Sequence, residues 1–327
     1  MKRIKYLDNT KGFAILMVML GHTNIISTYP KLIEFVQSFH VPIFFIVTGI
    51  IFGMKELNGG IFEFNVLKKL KLYMLPYCIF SILYIVIVNG MTYLGNTDSG
   101  IIAFKSSIIR FLSLDGVFAT WFLPAIFIAE MIFIAIHNDI RNYLVLISVV
   151  LGIIPLLLKT DILFINVLLR AFSGVLYIFV GYSIASHKKT ILDKKICYAF
   201  MLIFYLLMLN INGLQDLANM KFGNYPVLYY FESIFGSLIF IKLFETKFDK
   251  KLPLLTFFGK NTIVILVTHR IIYEVLWMME SKFLSFDAYI EPFIMFAFTV
   301  ILEYGVIYVS NHYLYFLFGK KKQIREN

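Results

Sequence analysis

The stretch Tyr6-Leu-Asp-Asn-Thr-Lys-Gly-Phe-Ala-Ile-Leu-Met-Val-Met-Leu-Gly-His22 sets a cation, Lys11, at the start of a strongly apolar helix and an imidazole, His22, deep inside it. Eleven residues of α-helix turn the chain through about 1100° and carry it about 16 Å, so Lys11 and His22 fall within about 20° of one face. Ile15 and Val18 lie between them on that face. The spacing predicts one stripe with a fixed charge at one end and a titratable group at the other.

The surrounding chain cannot be a soluble domain. Of 327 residues 60% are hydrophobic, 17% aromatic and only 15% charged, more apolar surface than a water-soluble fold could bury. The sequence predicts an all-α, polytopic transmembrane helix bundle forming a single domain over 1–327. At about 20 apolar residues per span, ten spans are expected, at roughly 12–28, 38–54, 72–93, 117–136, 141–158, 162–186, 196–212, 226–244, 254–279 and 289–318. The run after Lys11 resembles a signal-peptide core, but no small-x-small cleavage pattern follows it, so it is read as the first span.

The distribution of basic residues orients the bundle. Lys2, Arg3, Lys5, Lys55, Lys68, Lys69, Lys71, Arg141, Lys188, Lys189, Lys194, Lys195, Lys242, Lys247, Lys250, Lys251, Lys320, Lys321, Lys322 and Arg325 fall in one set of connections; Lys31, Lys105, Arg110, Lys159, Lys221 and Lys282 fall in the other. By the positive-inside rule the richer set is cytoplasmic, with both termini. The net charge of +10 is therefore spread along one membrane surface, and no nucleic-acid partner is expected. Cys78 and Cys197 both lie in apolar segments, which leaves neither a disulfide framework nor a metal site. Residues 56–71 read as an amphipathic segment on the inner surface and 94–116 as the longest outer loop. No 20–50 residue period is present, and that lack of internal symmetry also counts against an inverted-repeat transporter.

Ionisable residues inside the spans are functional candidates by default, because charge in hydrocarbon is costly. Depth counting places His22, Arg170, Glu232, His269 and Arg270 in one band of the outer half, and Asp8, Lys11, Glu130, Lys260, Asn261, Glu303 and His312 in a second band nearer the cytoplasm. Each has a plainer reading. His22 could be satisfied by a backbone carbonyl; Lys11 and Lys260 could snorkel to the interface; Glu130 and Glu303 could be interhelical hydrogen-bond partners. Lys260 and His269 sit about 180° apart on a continuous helix and would share a site only if that helix were broken.

Four segments carry a family resemblance: Tyr6 to His22, Phe39-His-Val-Pro-Ile-Phe-Phe-Ile-Val-Thr-Gly49, Trp121-Phe-Leu-Pro-Ala125 with Glu130, and Phe258-Gly-Lys-Asn-Thr-Ile-Val-Ile-Leu-Val-Thr-His269. Together they resemble the membrane-bound acyltransferase-3 family, within it the branch of fucose 4-O-acetylase-like integral membrane O-acetyltransferases. The family's basic residue, ten residues, then histidine is matched by Lys11 and His22. Its commoner arginine is lysine here, which keeps the charge and loses bidentate phosphate recognition. Its Phe-Phe-x-x-Ser-Gly line reads Phe44-Phe45-Ile-Val-Thr48-Gly49, which keeps the hydroxyl.

The resemblance implies acyl transfer, with acetyl-CoA as donor co-substrate from the cytoplasm and a carbohydrate or glycolipid acceptor in the bacterial envelope. The protein would be multi-pass in the inner membrane among membrane lipids, and its oligomeric state is left open. His22 would be the general base or, in a second version, an acyl-histidine nucleophile. Lys11 would hold the donor's phosphates, and His40, Trp121, Glu130, Arg170 and His269 would form the substrate-binding set. Two other classes compete: a transporter or flippase for a small polar or sugar-linked substrate, using Arg170, Arg270, Glu130 and Glu303 as its path, and a non-catalytic assembly subunit, in which the Lys11 to His22 stripe would tolerate substitution.

Overall fold

In the computed structural model, which describes residues 4–59, 65–186, 195–248, 252–283 and 286–319, a helix or a pair of helices stands at each of the ten predicted segments. The expected helical membrane bundle is what forms. Seven helical runs are long and apolar enough to cross a bilayer (Pro30–Leu57, Val66–Gly95, Phe118–Asp139, Leu163–Ser186, Pro226–Lys247, Thr262–Phe283 and Glu291–His312), and Arg141–Leu157 and Ile196–Asn212 are shorter apolar helices. Of the predicted cytoplasmic basic residues, Lys2, Arg3, Lys188, Lys189, Lys194, Lys250, Lys251, Lys320, Lys321, Lys322 and Arg325 lie outside the described residues.

The first helix begins and ends earlier than its hydropathy suggests. α1 spans Lys5–Gly21 because its polar start finds partners: Asn9 donates to the Phe248 carbonyl at 2.9 Å, Thr10 to the Tyr6 carbonyl at 2.9 Å, and Thr256 donates to Asn9 Oδ1. It stops at Gly21, where Thr23 Oγ1 takes the Leu20 carbonyl at 2.8 Å and so satisfies an orphan of the last turn. His22 is thus the C-cap, with φ −97 and ψ 4, and not an interior helical residue. A short helix, α2 (Ile25–Thr28), leads to α3 (Pro30–Phe39) and α4 (Pro42–Leu57). The predicted second span is one 28-residue run interrupted at His40–Val41, because Pro42 at the first position of α4 has no N–H to continue the ladder.

α5 (Val66–Gly95) takes in part of the basic segment read as amphipathic. The predicted outer loop is largely a helix, α6 (Thr97–Leu112), which turns back on α5 with Gly100 against the Tyr93 backbone. A 3-10 turn, Phe118–Trp121, opens into α7 (Phe122–Asp139), followed by α8 (Leu144–Leu157), α9 (Leu163–Ser186) and α10 (Lys195–Asn212). A two-residue antiparallel pair, β1 (Gln215–Asp216) and β2 (Lys221–Phe222), makes a hairpin before α11 (Pro226–Lys247). The predicted ninth span is broken at Asn261 into α12 (Pro253–Lys260) and α13 (Thr262–Phe283), and α14 (Glu291–His312) follows. Asn261 fills its own break, donating to the Phe257 carbonyl at 2.9 Å and accepting from Asn311 at 2.9 Å.

The most extensive helix pairing is between α4 and α9. A Cβ on Gly49 would overlap the Ile178 carbonyl, and one on Gly181 would overlap the Ile46 carbonyl, the close backbone approach that small residues allow between membrane helices. Apolar side chains of α8, α10 and α14, among them Val145, Leu146, Phe200, Ile203, Ile301 and Tyr304, face outward, as a lipid-facing surface requires. Inside the bundle, the buried polar groups include Asp115, Glu130, Arg170, Glu232, His269 and Glu303.

Candidate active site

A cavity of about 630 Å³ lies in the bundle between α1, α3–α4, α6, the 113–121 segment and the hairpin. Ile15, Val18 and His22 all line it, so the face of α1 defined by the spacing is the cavity face. Ile15 and His22 are seven residues apart, about 10 Å along the axis. Lys11 continues this face one turn beyond Ile15 but lies outside the lining, ion-paired with Asp8 at 2.9 Å and partly exposed.

The two helix breaks bring the remaining groups in. At the α3–α4 break His40 lines the cavity, and its Nδ1 sits 2.8 Å from the Val36 carbonyl. A carbonyl can only accept, so the proton resides on Nδ1 and Nε2 is a bare acceptor. At the α12–α13 break Thr262, Ile263 and Leu266 reach the wall. The broken helix is the condition under which Lys260 and His269 could share a site, yet Lys260 is exposed and neither residue is in the lining.

Arg170 and Trp121 line the cavity, with the guanidinium 5.3 Å from the indole ring. Arg170 Nη1 is bound to Asp115 Oδ1 at 2.7 Å, and Arg110 Nη1 approaches Asp115 Oδ2 at 3.2 Å. Asp115 is buried, so one carboxylate holds two cations at the wall. The segment from Ser113 to Val117 is irregular backbone, and with the 3-10 turn Phe118–Trp121 it lines the cavity. Leu114 and Phe118 adopt φ of 58 and 53, and Gly116 adopts 81 with the Trp121 backbone where a Cβ would stand. Strain in Leu114 and Phe118, of the kind that gathers at functional sites, aims Phe118 and Trp121 into the cavity.

Glu130, grouped by sequence with the substrate-binding residues, sits elsewhere. It is buried on α7, accepts from Tyr73 at 2.7 Å and is ion-paired with Lys69, which joins α7 to α5. Glu303 likewise accepts from Thr268 at 2.7 Å and ties α14 to α13. Glu232 accepts from Asn212 at 3.1 Å and from Gln215, anchoring the hairpin. Arg270 donates to the His22 carbonyl at 3.2 Å and pairs with Glu274 at 3.0 Å, its guanidinium 5.1 Å from the Phe118 ring and 4.8 Å from Trp277. His269 lies behind His22, the two ring centroids 5.1 Å apart.

Of the sequence-predicted set, His22, His40, Trp121 and Arg170 therefore meet at one cavity, His269 stands just behind it, and Lys11 and Glu130 stand apart. Sequence reasoning missed Gln37, Asn89, Ser107, Arg110, Asp115, Asp216 and Asn219, all in the lining. Two signals were available. One is the acid–glycine pair Asp115-Gly116 between basic Arg110 and Trp121; the other is the Asp216-x-x-Asn219 spacing, which closes a turn with Asn219 N and Nδ2 donating to Asp216 at 3.2 and 2.6 Å.

Chemically, the cavity joins bare imidazole nitrogen, a compensated arginine–carboxylate group and an aromatic platform. Such a wall can hydrogen-bond a polar molecule and accept a proton from it. Comparison with known families gives one match: the model described as an acyltransferase domain, of the acyltransferase-3 family, matches residues 4–312. No curated protein and no solved structure matches.

Proposed function

From the premise that this chain belongs to the acyltransferase-3 family and is a membrane-embedded acyltransferase, we propose that it moves an acetyl group from cytoplasmic acetyl-CoA to a hydroxyl of a cell-envelope saccharide. In this reading it lies in a bacterial inner membrane with ten spans and both termini in the cytoplasm. His22 takes the proton of the acceptor hydroxyl as its oxygen attacks the thioester carbonyl. The carbon–sulfur bond then breaks, and the proton held on His22 passes to the departing thiolate of CoA.

The observation that carries this is the cavity position of His22 at the end of α1, with Ile15 and Val18 leading down to Lys11. A donor coming from the inside and an acceptor from the outside could meet at such a point. Lys11 stays below as a charge for the donor's phosphates, and His40, Trp121 and Arg170 form the acceptor wall.

The test compares His22→Ala and Lys11→Ala for transfer of labelled acetyl from acetyl-CoA into envelope polysaccharide, in membranes holding equal amounts of each inserted variant. His22→Ala should lose about 10²–10⁴-fold in rate, the usual worth of general-base catalysis. Lys11→Ala should raise the KM for acetyl-CoA with less effect on the saturated rate. Undiminished transfer by the His22 variant would sink the mechanism.

A further inference from the structure

His269 is buried and outside the cavity lining, and its chemistry has so far gone unused. Its Nδ1 lies 2.6 Å from the Ile265 carbonyl one turn back on α13. The carbonyl can only accept, so Nδ1 carries the proton and Nε2 presents a lone pair. That Nε2 has no hydrogen-bond partner among the described residues, and leaving a buried polar atom so is costly. The nearest imidazole is His22, with ring centroids 5.1 Å apart and planes tilted by 44°.

α13 also fixes the backbone on which His22 stands. Arg270 donates to the His22 carbonyl at 3.2 Å and Tyr273 to the Met19 carbonyl at 3.1 Å. Three successive inward-facing groups of one helix, His269, Arg270 and Tyr273, thus address the last turn of α1. Two hold its carbonyls, and the third offers an acceptor to its ring.

We propose that His269 is the positioning residue for His22: a turn of the His22 ring about its Cβ–Cγ bond brings a ring N–H to the unpartnered Nε2 of His269, and that bond fixes the tautomer and leaves the other nitrogen bare toward the cavity. This rests on the reading of His22 as the base and extends it. A base that must take a proton needs its lone pair on the cavity side, and an acceptor behind the ring selects that tautomer. His269 does not touch the reacting atoms; it acts through His22.

The test is solid-state ¹⁵N NMR of the full-length protein, histidine-labelled and reconstituted in lipid bilayers, with the His22 signals identified by their loss in His22→Asn. Wild type should hold neutral His22 in one tautomer by roughly fivefold or more, the bias an ordinary hydrogen bond gives. His269→Leu should populate both tautomers, and His269→Gln, which restores an acceptor, should return the bias. Mixed tautomers in wild type, an unchanged single tautomer in His269→Leu, or failure of His269→Gln to differ from His269→Leu would each overturn the proposal. The readout needs no acceptor, so it is separable from the catalytic reading. A single tautomer together with a fully active His22→Ala would keep the pair and remove the base.

Discussion

Arg170 illustrates how a charge is kept inside a membrane bundle, and its partner sets what its loss would cost. Asp115 is buried between Arg170 and Arg110, so removing Arg170 leaves a carboxylate with one half-exposed cation. Breaking a buried pair from one side costs about 3–5 kcal/mol, whereas replacing both members with apolar groups is often nearly neutral. Arg170→Leu should therefore lower the thermal unfolding midpoint in detergent markedly, and Arg170→Leu with Asp115→Leu should recover much of it. A double variant as unstable as the sum of its single changes would show that the two do not interact. Glu303 is a smaller case of the same logic. It accepts a hydrogen bond from Thr268, and an amide oxygen accepts as well as a carboxyl oxygen. Glu303→Gln should keep near-native stability, while Glu303→Leu, which leaves the Thr268 hydroxyl only the Val264 carbonyl 2.8 Å away on its own helix, should lose about 0.5–1.5 kcal/mol by the same unfolding measurement.

At the scale of helices, glycine decides where backbones can meet. Gly49 and Gly181 face each other's helices so closely that a methyl group would enter the partner's carbonyl, and overpacking of this kind costs about 1–3 kcal/mol. Gly49→Ala and Gly181→Ala should each reduce folded yield and unfolding temperature. Gly90→Ala on α5 has nothing within 4 Å and should be neutral or gain up to about 1 kcal/mol from helix propensity; equal losses in all three would refute the packing account. The same pair marks a limit of reading from sequence. Thr48-Gly49 is visible as a motif and its hydroxyl draws attention, but the glycine's task is set by α9, more than a hundred residues away. Spans were legible because a bilayer imposes length and hydropathy on each one separately. The break at His40 was written in Pro42, and the α1 face in the Lys11 to His22 spacing. The end of α1 at Gly21 depends on one threonine hydroxyl competing for a carbonyl, and the Asp115 clamp depends on two residues from different elements. Neither leaves a periodic trace.

At the scale of the whole molecule, long-range contacts collect the basic helix ends on one side without any appeal to a charge rule. Arg141 at the foot of α8 pairs with Glu56 at the end of α4 at 2.8 Å, and Tyr182 near the end of α9 donates to the same Glu56 at 2.6 Å. Asn9 near the start of α1 reaches Phe248 beyond α11, and Gly319 packs on the Lys71 backbone at the start of α5. Lys55 and Arg141 therefore meet at one end of α4, which Lys69 at the start of α5 also reaches over the Phe52 ring at 5.9 Å, and Lys5 and Lys247 flank the α1–α11 contact, while α6 and the hairpin, which line the cavity, lie at the opposite ends of α5 and α11. If the basic end faces the cytoplasm, as the positive-inside rule requires, α6 and the hairpin face outward and His22 is nearer the acceptor's side than the donor's. In a background with Cys78→Ala and Cys197→Ala, the variant Thr97→Cys at the start of α6 should react with a membrane-impermeant maleimide on intact cells. Asn58→Cys at the end of α4 should react only after the membrane is opened. Both positions are exposed, so access alone decides the outcome. The reverse pattern would invert the molecule, put α6 and the hairpin in the cytoplasm and make the Lys11 end the acceptor's entrance, which the proposed direction of transfer could not survive.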